Sequence, residues 1–263
     1  MNVVLQDNHC WVIIRRTNNF WPQQWPLAQE QLAMADELMA NDGKPRSVQT
    51  RRKALISCGI LKDEVEAALK REGLDVPVFY LAPAPCIEAD ALERQLVRAL
   101  ERALEVADDA VVLIGLCHRD VDEIIARFPA RRLAVNDCFD AILGARRKEV
   151  DRAGNTFYTI PAWLRHWKRA LVKRLGWDGV DARQNFGLYE RIILLDAGVS
   201  QFSDEEVLEL FDFTGIPIEV MRVDLAPLAR LLRDSLGALL DAEQAFAHHH
   251  DVADVHGNVE KHP

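Results

Sequence analysis

The chain has 263 residues, of which 49% are hydrophobic and 28% charged, and a formal net charge of −9. That apolar content supplies the core of one large domain or two small ones. The acidic balance withholds the basic face that nucleic-acid binding needs, and no run approaches the roughly 20 apolar residues that span a bilayer.

Residues 1–50 differ from the rest. Trp11, Phe20, Trp21 and Trp25 crowd together, broken by Pro22 and Pro26, before a short helix predicted over Leu27–Met39. This segment reads as an aromatic-rich arm that packs on the main domain or joins a second subunit. In the opening MNVVLQDNHCWVIIRR the charges follow the apolar residues, the reverse of a secretory signal, so the expected compartment is the cytoplasm.

An α/β domain is expected over residues 51–240. Strands are predicted at Ala54–Ser57, Val76–Leu81, Ala110–Gly115, Leu133–Val135, Asn155–Ile160, Arg191–Leu195 and Pro217–Val223. Between them lie amphipathic helices at Lys62–Arg71, Glu88–Val106, Asp120–Arg127, Phe139–Ala145 and Pro161–Leu175, then a capped start at Ser203 and a last long helix over Leu225–Leu240. Continuous apolar runs such as Ala110-Val111-Val112-Leu113-Ile114 are the mark of strands buried on both faces. The alternation predicts an open, mostly parallel sheet with helices on both faces, Rossmann-like but without a glycine-rich dinucleotide fingerprint. The polar tail, residues 241–263, carries no apolar pattern.

The five cysteines, Cys10, Cys58, Cys86, Cys117 and Cys138, are odd in number and widely spread, which reads as reduced thiols and not a disulfide framework. Ligands of open α/β sheets bind outside the carboxyl ends of the strands. Cys58, Cys117 and Cys138 fall at such ends, and Cys86 is a fourth candidate beyond the second strand. Gly59 and Gly115 allow close backbone approach and are the candidate cofactor-binding residues. His118 and Asp137 adjoin two of the cysteines, and Asp196 follows another strand on the expected rim, so the three are candidate acid–base or supporting groups. Three thiolates suit a zinc ion with an open fourth position, or a four-iron cluster with one iron left for substrate. Three other readings stand beside this one: buried structural cysteines, a non-catalytic carrier of a metal or small cofactor, and a nucleophilic cysteine with His118 as its base.

Several strings carry a resemblance. They are Leu55-Ile56-Ser57-Cys58-Gly59-Ile60-Leu61-Lys62-Asp63-Glu64, Gly115-Leu116-Cys117, Asn136-Asp137-Cys138-Phe139 with Leu143-Gly144, and Thr156-Phe157-Tyr158 with Pro161-Ala162-Trp163-Leu164. Over about residues 51–235 the chain resembles the family called domain of unknown function 1638. It departs from that pattern at Asn136, which stands for a histidine, at His118, which stands for a glycine, and at Leu81–Cys86, where the family has a leucine–histidine pair. The resemblance implies a setting in corrinoid-dependent methyl transfer, with a small molecule or a corrinoid protein as partner and a corrinoid contact.

Overall fold

The computed structural model describes residues 51–82 and 89–237. The arm (residues 1–50), Cys10, Cys86 and the tail beyond 237 lie outside the described residues, as does the helix expected over Leu27–Met39. Seven strands form, six of them where predicted, and all pair in parallel. They divide between two sheets.

The first sheet has the order β2-β1-β3-β4, with β1 Lys53–Cys58, β2 Val78–Leu81, β3 Asp109–Leu113 and β4 Ala130–Arg132. Its register sets Ile56 opposite both Phe79 and Val112. A 3-10 turn, Gly59–Leu61, leads from β1 into helix α1, Lys62–Glu72. Gly73 ends α1 in the left-handed conformation (φ 64°), as a residue without Cβ does readily. Helix α2, Ala89–Leu104, buries Leu92, Leu96 and Leu100 against this sheet, while Leu104 is only half-buried. Helix α3 is Val121–Ile125.

The second sheet has the order β5-β6-β7, with β5 Thr156–Thr159, β6 Arg191–Asp196 and β7 Ile218–Arg222. Two short helices precede it, α4 Cys138–Leu143 and α5 Arg146–Arg152. The helix expected over Pro161–Leu175 is interrupted. It consists of α6, Pro161–Leu164, and a π-helix, Lys168–Arg174. The wider π turn keeps Trp163, Trp167 and Leu171 all buried, which is the apolar stripe the sequence predicted on a regular helix. Helix α7, Gly179–Phe186, is capped by Asp178 in a capping box, and α8, Asp204–Thr214, by Ser203 and Glu206 in another. The last described helix, α9, Ala226–Leu236, packs on α1 and α4, and its Ser235 carbonyl accepts from the Lys53 ammonium of β1 at 3.0 Å.

The fourth strand lies three residues earlier than expected. Leu133 and Val135 are buried but follow β4 in a loop that the Arg132 guanidinium holds, donating to the carbonyls of Leu133 (3.1 Å) and Val135 (2.8 Å). Apolar side chains there fill a core without pairing as a strand. Among the described residues no helix is long and apolar enough to cross a membrane.

Candidate functional site at the rim of the first sheet

The strand order 2-1-3-4 contains a reversal. From β1 the chain winds outward to β2, and from β3 it winds the other way to β4. The loops after β1 and β3 therefore part at a topological switch point, the crevice where open α/β sheets bind ligands. Cys58 is the last residue of β1, and Cys117 lies four residues past the end of β3. Cys138 opens α4, beyond β4.

Backbone packing sets how close these loops come. The Leu116 amide donates to the Asn136 carbonyl at 2.8 Å, pinning the loop that carries Cys117 to the loop that carries Cys138. A Cβ on Gly115 would lie 2.5 Å from both Asn136 O and Asp137 Cα, so only glycine fits there. The close approach at Gly115 is to the backbone of the loop that carries Cys138. Gly59 opens the 3-10 turn after Cys58, and its carbonyl accepts from the Lys62 amide.

The Cys58 and Cys138 thiols meet, and the field of Cys117 reaches Cys138. Cys58 is buried, and Cys117 and Cys138 are half-buried; none is in a disulfide. Cys58 and Cys138 share a hydrogen bond. That bond, then burial, then the fields of Cys58, Cys117 and Asp137, push the Cys138 thiol well above its ordinary range and keep it protonated. The donor chemistry suits a soft metal. Among the described residues no three His, Cys, Asp or Glu side chains are already set as a ligand group. Loading the thiols would require them to lose protons and at least one side chain to turn.

The neighbouring polar groups have defined partners. Asp137 is the N-cap of α4, accepting from the Phe139 (2.8 Å) and Asp140 (2.9 Å) amides, and Arg147 bridges it to Asp140 at 3.1 and 3.2 Å. Burial raises the Asp137 pKa against the pull of Arg147. The Arg147 guanidinium also lies 4.1 Å from the Tyr158 ring centroid and pairs with Asp151, to which the Tyr158 hydroxyl donates at 2.6 Å. His118 accepts the Asp120 amide on Nδ1 at 3.0 Å, which places the proton of a neutral imidazole on Nε2. Its one lone pair is then engaged and not offered to Cys117.

Asp196, expected on the same rim, ends β6 in the second sheet. It is buried, accepts from the Gly198 amide at 2.7 Å and pairs with Arg222 at 2.9 Å. Sequence reasoning passed over two residues. Arg147 is hidden in the basic run Arg146-Arg147-Lys148, which reads as a solvated face. Glu64 stands in an amphipathic helix, yet it is only 1% exposed. A cleft of about 270 Å³ lies at the other end of α4, between Ile142, Leu143 and Arg146 on one side and Val223, Pro227 and Arg230 on the other.

The fold and rim define a parallel α/β protein with a thiol-lined switch point. The family model described as "Protein of unknown function (DUF1638)" matches residues 87–232, and the chain belongs to that family. The matched segment includes Cys117 and Cys138 and begins after Cys58. No curated protein matches the chain.

Proposed function

We propose that the C-terminal rim of the first sheet is a thiolate site for zinc or an iron–sulfur cluster, held by Cys58, Cys117 and Cys138. The observation that carries the reading is the convergence of three thiols from three separate strand ends on a switch-point crevice. Cysteines retained only as small core residues have no reason to gather at one rim. A bound metal would supply Lewis acidity or electron transfer there. Asp137 positions the start of α4 and with it Cys138, and Arg147 holds Asp137 in place. Gly115 holds the Cys117 loop against them. In this reading the protein is a metal- or cluster-dependent enzyme or accessory factor, and the family resemblance suggests one-carbon metabolism with a corrinoid protein as partner. A three-thiolate site leaves a position for substrate, whereas a fourth ligand from Cys86 would close it.

The test is anaerobic purification of the full chain with iron and zinc supplied, followed by metal analysis and an absorption spectrum. The parent should bind metal. Cys58→Ala, Cys117→Ala and Cys138→Ala should each lose it while staying folded, and Cys10→Ala should retain it. Cys86→Ala decides between three thiolates and four. A parent without metal under these conditions, or single variants that all bind as well as the parent, ends the reading.

A further inference from the structure

The cleft at the other end of α4 lies apart from the thiols, and none of its lining residues is a cysteine. It opens where the chain leaving the first sheet meets the chain leaving the second. Ile142 and Leu143, at the end of α4, form one wall, and Val223 and Pro227, before and on the first turn of α9, form the other. Beside the cleft the two walls are in close contact. Gly144 ends α4 at φ 54°, and a Cβ there would lie 3.0 Å from Pro227 Cβ, so a larger residue would be strained and would crowd that proline. The cleft is therefore formed before any ligand arrives, and its volume of about 270 Å³ suits a small molecule.

Each wall contributes one arginine, Arg146 from α5 and Arg230 from α9. Arg146 reaches Met221 Sδ at 4.0 Å, but among the described residues neither guanidinium pairs with a carboxylate. Acids are not scarce in this chain, which has 41 Asp and Glu against 32 Lys and Arg. Nearby, Arg71, Arg147, Arg222 and Arg233 each pair with one. Asp224 is the one acid in the lining, and it is committed elsewhere. It accepts from Arg71 at 2.6 Å and from the Ala226 amide at 2.7 Å, and the Arg71 hydrogen bond leads the influences that hold its carboxyl below the usual range. Its negative charge is thus answered by Arg71. What remains in the lining is two cations without a counter-charge beside apolar walls.

We propose that this cleft binds a small organic anion, a carboxylate or phosphate group on a short apolar body. The guanidinium forks of Arg146 and Arg230 hold the charged group by charge-assisted hydrogen bonds, and Ile142, Leu143, Val223 and Pro227 cover the apolar part. The site needs neither the thiols nor a metal, so it stands or falls independently of the thiolate reading.

The test is titration of the full chain, labelled at its methyl groups, with benzoate and with phenyl phosphate, read by NMR at the Ile142, Leu143 and Val223 methyl signals. At least one of the two should shift these signals to saturation in the millimolar range, and the one that does so more tightly identifies the charged group. Benzamide, which keeps the ring without the charge, and inorganic phosphate, which lacks the ring, should each bind about tenfold more weakly, as expected when one charge-assisted contact or one apolar face is lost. Arg146→Gln and Arg230→Gln should each weaken the anion by about tenfold, the worth of one such hydrogen bond. Both positions are exposed, so the variants keep the fold. Ala145→Phe, at an exposed position of the lining, should fill the cleft and abolish binding. Failure of both anions to shift the signals, a neutral or ring-free probe that binds as tightly as they do, or undiminished binding in either arginine variant overturns the proposal.

Discussion

At the end of β1 the chain delivers a buried thiol, whereas at the end of β6, the central strand of the other sheet, it delivers a buried carboxylate already paired with Arg222 at 2.9 Å. The two strands are otherwise alike: each has six residues, five of them buried after a half-buried first one. The connections around them make the difference. The order 2-1-3-4 reverses direction beside β1 and opens a crevice between diverging loops, whereas the order 5-6-7 runs one way and leaves none. At the first rim glycine and an arginine bridge draw three thiols together, and at the second an exposed guanidinium covers the one acid. Equal core burial can thus underlie two rims with different chemical capacity.

The contrast is sharpest where its supports are removed. Arg147→Ala strips the shared cation from Asp137 and Asp140, whose side chains are 19% and 18% exposed. It should cost about 3–5 kcal/mol, the range for breaking a buried pair, measured by denaturant unfolding. A loss near zero would mean the bridge does not organise the first rim.

Next comes the linkage of Glu64. Its pKa is raised from 4.5 to about 7 by burial. The folded state therefore holds a proton that the unfolded chain has released between those two values. Stability should be fully present below pH 4.5 and fall as pH rises to 7, by about 3 kcal/mol at 1.36 kcal/mol per pKa unit. Glu64→Gln should flatten this part of the pH–stability profile. An equally steep fall in the variant would place the titration elsewhere.

Gly115→Ala is expected to cost about 1–3 kcal/mol, because its Cβ meets backbone atoms that must move. It should also lower metal uptake by parting the Cys117 and Cys138 loops. Ordinary stability with full uptake would show that the loops are not held by this contact.

The smallest effect belongs to the second rim. Arg222→Ala removes a guanidinium that is 78% exposed, and water replaces much of what it offered Asp196. The expected loss is about 1 kcal/mol, reduced further by salt, with metal uptake and thiol alkylation unchanged. A loss of uptake would join the two rims into one site.

Much of the fold was legible in the chain. The apolar runs at Leu55–Ile56, Val111–Leu113 and Ile192–Leu195 demand burial on both faces, and that requirement locates parallel strands without reference to neighbours. Ser203 and Glu206 announce the start of α8 by satisfying orphan amides locally. Helices α5 and α7 were missed, since Arg146–Arg152 and Gly179–Phe186 are short and largely exposed and bury too few residues to show a period. The Leu133–Val135 run misled because burial does not specify hydrogen-bond pairing, and Arg132 supplied a loop in place of the ladder.

The candidate site divides the same way. Residue type and strand-end position are local properties, so the sequence by itself determined that Cys58, Cys117 and Cys138 would come at strand ends and that Gly115 would permit close packing. Only the tertiary structure decided that β1 and β3 are neighbours, that Asp196 belongs to another sheet, that Arg147 is shared among three acids, and that Glu64 is buried with an oxygen to spare. Those outcomes depend on which strands pair and which helices cover them. Strand order arises from the competition among many weak non-local contacts, and no single stretch of sequence contains both partners of such a contact.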